Sequence, residues 1–169
     1  MFTIKTFWDG TPCENSLFRG TVDLKREEQG IRITAMLPHQ PGPHVPKAPP
    51  MTRVANLWEY DVLECFLVGE EKYLEVELGA GRHFLVLDFT GPRVRDQEYA
   101  DFVPDMTYDQ DAGDGRWKAS IVIPWDMVPK GLKAMNAFVI VRDSYLCMTP
   151  LPGPQADFHQ PDRFLPFTI

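Results

Sequence analysis

Tyr73-Leu74-Glu75-Val76-Glu77-Leu78 alternates polar and apolar side chains without a break. A β-strand sends successive side chains to opposite faces, so Leu74, Val76 and Leu78 share one face while Tyr73, Glu75 and Glu77 share the other. Ile31-Arg32-Ile33-Thr34-Ala35 repeats the period of two. In Arg116-Trp117-Lys118-Ala119-Ser120-Ile121-Val122-Ile123 the inward set is Trp117, Ala119, Ile121 and Ile123. Asp61 to Val68, His83 to Phe89 and Asn136 to Asp143 add three more segments rich in β-branched or aromatic residues, bounded by Gly, Pro and Asp turns. Helical periodicity is confined to a turn at Pro124-Trp125-Asp126-Met127 and another around Asn56 to Tyr60. Alternating strands need a second sheet to cover their apolar faces, which predicts an all-β antiparallel sandwich of roughly eight to ten strands.

The 16 prolines mark where the strands stop. Six fall between Pro38 and Pro50, and four more at Pro150, Pro152, Pro154 and Pro161. Proline fixes φ and removes a ladder donor, so both stretches are expected as stiff surface loops that rim a binding site. No repeat or low-complexity tract divides the chain, and residues 1–169 are expected to form one β-sandwich domain.

Composition narrows the function. A net charge of −7 leaves no clustered basic surface for phosphates, which argues against nucleic-acid and anionic-membrane partners. Apolar runs such as Phe138-Val139-Ile140-Val141 are far too short to span a bilayer. The N-terminal residues lack the pattern of a secretory signal, so a cytoplasmic location is expected. Cys13, Cys65 and Cys147 are odd in number and lack C-x-x-C spacing, and are read as reduced, buried thiols.

Among residues with chemistry, Glu64 stands out, because alternation puts it on the same face as Val62 and Phe66. An acid in an apolar set needs a partner, with Arg82, Arg142 or a ligand as the available kinds. Glu75 and Glu77 are about 7 Å apart along one strand. Such a pair invites a glycosidase reading, but no further catalytic signature accompanies it, and a non-catalytic module is expected. Asp109-Gln110-Asp111-Ala112-Gly113-Asp114-Gly115 lacks the order of a calcium loop and reads as a hairpin turn. None of the four histidines has a partner at metal spacing, so neither a metal nor a cofactor is expected. His159 is notable for closing a proline-bounded loop, and Trp58 suits either a plug or a stacking platform for a sugar ring.

Leu57-Trp58-Glu59-Tyr60-Asp61-Val62-Leu63-Glu64-Cys65-Phe66-Leu67, the Tyr73 strand and the Ile123-Pro124-Trp125 turn together resemble family-9 carbohydrate-binding modules of the DOMON-like superfamily. Asp157-Phe158-His159 followed by Phe164 looks like their C-terminal strand. From Trp8-Asp9-Gly10 onward the chain is also similar to an uncharacterised group of stand-alone proteins that includes a vertebrate open-reading-frame product. The first resemblance implies a sugar or other small polyhydroxy ligand, with Trp58 stacking on a ring and Glu64 accepting from its hydroxyls. It departs from the family in one respect: residues 144–161 hold no second tryptophan, only Tyr145, Phe158 and His159. With the polar strand face and Arg142 added to Trp58 and Glu64, the expected ligand set is Trp58, Glu64, Tyr73, Glu75 and Arg142, with Tyr145 or His159 as the opposing wall. Some DOMON relatives bind haem through a Met and a His, for which Met148 and His159 are the residues present. The alternative function is a protein-interaction or structural domain whose acids form a solvated surface.

Overall fold

The computed structural model describes all 169 residues. Its strands are β1 (Phe2–Ile4), β2 (Thr6–Phe7), β3 (Gly20–Arg26), β4 (Gly30–Pro38), β5 (Val62–Val68), β6 (Tyr73–Gly79) and β7 (Phe84–Gly91). They continue with β8 (Val94–Arg95), β9 (Met106–Asp109), β10 (Arg116–Pro124), β11 (Ala134–Val141), β12 (Ser144–Cys147) and β13 (Leu165–Pro166). One sheet has the order β1-β3-β4-β10-β9; the other runs β2-β12-β11-β5-β6-β7-β8, with β13 also pairing β11. Every ladder is antiparallel.

The two sheets close on the residues that alternation placed inward. Ile31, Ile33 and Ala35 of β4 and Trp117, Ala119, Ile121 and Ile123 of β10 meet Leu63, Cys65, Leu67, Leu74, Val76 and Leu78 in a shared core. The strand count exceeds the expected eight to ten because several additions are only two to four residues long, too short to show a period. Gly20–Arg26 was not anticipated either, since beyond Val22 and Leu24 it carries mostly charged and polar residues. Both expected turns are present: a 3-10 turn spans Leu57–Glu59, and Met127 N–H donates to the Pro124 carbonyl at 2.9 Å. Residues 110–115 form the β9–β10 hairpin turn, with Gly113, Asp114 and Gly115 all at positive φ. The three cysteines are free and buried, and burial pushes the Cys65 thiol up to about 12.

The larger sheet is unusual in being covered on both faces. Its outer side carries Val62, Phe66, Tyr73, Leu85, Leu87, Phe89, Phe138 and Ile140, and Leu57, Leu151, Phe158 and Phe164 pack over them from segments outside the main ladders. The first proline loop is clipped down rather than left as a rim. Buried Asp61 accepts the backbone N–H of His44 at 3.0 Å and that of Arg142 at 3.1 Å, and a ring nitrogen of His83 lies 3.1 Å from the Ala48 carbonyl. The C-terminal loop is tied by Trp8, whose N–H donates to Tyr145 and whose carbonyl accepts from Leu151. The segment Asp157-Phe158-His159 is loop and not the strand implied by the family resemblance. The Asp157 carboxylate takes the His159 N–H at 3.1 Å, and Pro161 starts a 3-10 turn directly afterwards.

Candidate functional site

A cleft of about 600 Å³ opens on the outer face of the larger sheet. Its floor is the sheet itself, where Glu64, Glu75, Leu87, Phe89 and Ile140 are accessible from the cleft. Trp58 enters from the Leu57–Glu59 turn, Tyr145 from β12, and Gln155, Ala156, Phe158 and His159 from the C-terminal proline loop. Arg93 and Arg95 complete the lining from the β7–β8 hairpin. Of the residues expected from the sequence, Trp58, Glu64, Glu75, Tyr145 and His159 line this one cleft. Tyr73 lies beneath it, its hydroxyl 2.7 Å from Nδ1 of His159.

Arg142 does not belong to the site. It sits just past β11 at φ 54 and directs its guanidinium to the Pro41 carbonyl at 2.7 Å, so it fastens the first proline loop. Arg82 occupies the β6–β7 turn and does not pair with Glu64 either. Two other arginines take their place. Pro92-Arg93 turns the β7–β8 hairpin with Arg93 at φ 61, as a proline followed by a left-handed residue does in a type II turn. That turn aims the Arg93 N–H at the Tyr73 hydroxyl, 3.1 Å away, and its side chain reaches Asp157 of the opposite loop at 2.8 Å. The Arg95 guanidinium lies 5.2 Å from the Trp58 ring centroid. The signal for both was the Gly91-Pro92-Arg93 turn directly after a strand, which makes a returning strand with Arg93 and Arg95 on alternate positions.

The acids are interior groups, which corrects the reading of them as a solvated surface. Glu64, Glu75 and Glu77 are 2%, 3% and 0% exposed. Glu64 is registered directly opposite Glu77 across the β5–β6 ladder, and Glu75 opposite Phe66. Like charges facing across strands repel, and burial disfavours ionisation further. Desolvation first, then the neighbouring acids, raise Glu64 and Glu77 well above the usual carboxylate range. Desolvation brings Glu75 up to about 7.

His159 moves the opposite way, down to about 4, through desolvation and then the Arg93 charge. The Tyr73 hydroxyl accepts from Arg93 N–H and shares a second hydrogen bond with His159 Nδ1. Nε2 of the same ring faces a Glu75 oxygen 3.8 Å away. Around this pair the aromatic packing is dense. Tyr73 stacks on Phe89 with centroids 4.8 Å apart, and Phe158 stacks on Phe138 at 4.0 Å. Phe158 and Tyr145 are two of the aromatic side chains lining the cleft. Met148 packs into the core between the sheets, while His159 is on the outer face, so the two do not converge as a haem ligand pair.

No family model matches the chain. Similarity to whole proteins is nevertheless extensive. The mouse UPF0462 protein C4orf33 homolog is 30% identical, over 99% of this chain and 91% of that protein. The chain belongs to the UPF0462 family. The human UPF0462 protein C4orf33 is 29% identical over 99% of this chain and 87% of its own length. The zebrafish UPF0462 homolog is 26% identical, again over 99% of this chain. Among solved structures, this UPF0462 chain is similar to a Bacteroides uniformis protein described as a candidate carbohydrate-binding protein. That protein has a TM-score of 0.70 and 15% identity, over 97% of this chain and 84% of its own. At that identity the likeness shows a shared β-sandwich. No helix of the UPF0462 chain is long and apolar enough to cross a membrane.

Proposed function

We propose that the cleft is a non-catalytic binding site for a carbohydrate or other small polyhydroxy molecule, on a sandwich of the DOMON-like, family-9 kind. The observation that carries this reading is the joint lining of one cleft by Trp58 and Glu64 together with Tyr145 and Phe158. Indole and phenyl rings cover the C–H face of a pyranose, and recessed acids meet its hydroxyls. Glu75 near its midpoint of about 7 both donates and accepts, which suits hydroxyl groups better than a fixed charge. A volume of about 600 Å³ accommodates one or two sugar rings. The description of the Bacteroides relative as a candidate carbohydrate-binding protein supports the same reading. Three free thiols support action in a reducing compartment such as the cytoplasm.

Titration of mono- and oligosaccharides against intrinsic tryptophan fluorescence and by calorimetry tests the proposal. A saturable response is expected for at least one sugar and is lost in Trp58→Ala and Glu64→Gln. No response at millimolar sugar, from protein with a cooperative unfolding transition, refutes it.

A further inference from the structure

Glu77 is the acid that the sugar reading leaves unused. It is fully buried behind Glu64 and Glu75, does not line the cleft, and neither of its carboxylate oxygens has a hydrogen-bond partner outside the acid cluster. A buried carboxylate without donors is a rare and costly arrangement, and it has a counterpart either in a proton or in a cation.

We infer that Glu64, Glu75 and Glu77 are the oxygen ligands of a hard divalent cation of the Mg²⁺, Mn²⁺ or Ca²⁺ class, seated beneath the cleft floor. One carboxylate oxygen from each residue lies within 4.8 Å of the others. Three ligands spread evenly around one cation at bonds of roughly 2.1–2.4 Å lie about 3.6–4.2 Å apart, so oxygens within 4.8 Å of one another reach a single ion after small side-chain rotations. The three side chains leave the same face of two paired strands, β5 and β6, which fixes their convergence through the ladder. The cleft reaches Glu64 and Glu75, giving an entry path and room for water ligands on that side.

The ligand chemistry favours a hard ion. The converging ligands are three carboxylates, and Nδ1 of His159 is engaged by Tyr73, so the set is oxygen only. Cys65 neighbours the acids in sequence but points into the core on the other face of the sheet. Three carboxylates around a doubly charged ion leave one negative charge, and Arg93 and Arg95 lie close enough to act on Glu64 and Glu77. This site goes beyond the sugar reading and does not depend on it.

Calorimetry and Mn²⁺ electron paramagnetic resonance on the chelator-stripped full chain, with Mn²⁺ alone and no sugar present, provide the test. One Mn²⁺ per chain is expected, saturating below about 1 mM, with a rise in Tm on binding. The isosteric Glu77→Gln and, separately, Glu75→Gln are expected to weaken binding by about tenfold or more. Absence of saturable binding of Mn²⁺, Mg²⁺ and Ca²⁺ by the wild-type chain overturns the inference, as does Mn²⁺ binding unchanged in both variants. Because sugar is absent, failure here leaves the fluorescence titration to be judged separately.

Discussion

The Tyr73 hydroxyl links a hairpin to a loop: it accepts the Arg93 N–H at 3.1 Å and hydrogen-bonds Nδ1 of His159 at 2.7 Å. The β7–β8 turn and the C-terminal proline loop, 66 residues apart at these two positions, are joined through one phenol rising from β6. Desolvation pushes that phenol up to about 12, so it remains a neutral donor at any ordinary pH.

Tyr73→Phe keeps the ring stack on Phe89 and removes only this junction. Two polar groups lose their partner, which costs about 1–3 kcal/mol. Urea denaturation measures that loss, and ¹⁵N spectra of His159 are expected to change from a single tautomer to a mixture. Retention of the single tautomer would show that something other than Tyr73 fixes the ring.

Stability is expected to fall as pH rises from about 6.5 through 7 in chelator-treated protein. In the unfolded chain a glutamate ionises near 4.5, whereas folded Glu75 does so near 7 and Glu64 and Glu77 are also raised well above 4.5. The folded state thus binds more protons in that window, and each such proton contributes up to about 1.4 kcal/mol per pH unit. His159 acts in the opposite sense, favouring the fold as pH rises, but only between about 4 and its ordinary 6.5. Above that range the acids act alone. Glu77→Gln is expected to flatten the decline, and a stability curve that rises over the same interval would refute the assignment of buried, proton-holding acids.

Much of this architecture was legible because the buried faces obey a simple period. Leu74, Val76 and Leu78 and the Trp117 to Ile123 set were readable as core, and Glu64 as an anomaly within an apolar face. Three things were not. The burial of Glu75 and Glu77 depends on separate segments, Leu57 and Trp58 before β5 and residues 151–164 after β12, folding over a sheet face that locally resembles an exposed one. Arg142 was a reasonable partner by sequence, but its left-handed backbone at the end of β11 turns it toward Pro41. Arg93 and Arg95 reach the site only because a Pro-Arg turn doubles the chain back beside β7.

Arg142→Gly separates the loop anchor from the cleft. Glycine accepts φ 54 without strain and keeps the N–H that Asp61 accepts, so only the guanidinium contact to Pro41 is lost. Faster proteolysis within residues 39–50 is expected, with tryptophan fluorescence titrations unchanged. A large loss of ligand response would return Arg142 to the site.

The doubly covered sheet divides this molecule into parts with unequal freedom to vary. Glu64, Glu75 and Glu77 are woven into β5 and β6, where moving one residue by a single step would send a whole strand's side chains to the wrong face. Gln155, Ala156, Phe158 and His159 lie on a segment with no ladder of its own. Changes in length or residue type there leave the register beneath untouched. Selection for a new ligand would therefore rewrite the lid of the cleft and inherit its acidic floor.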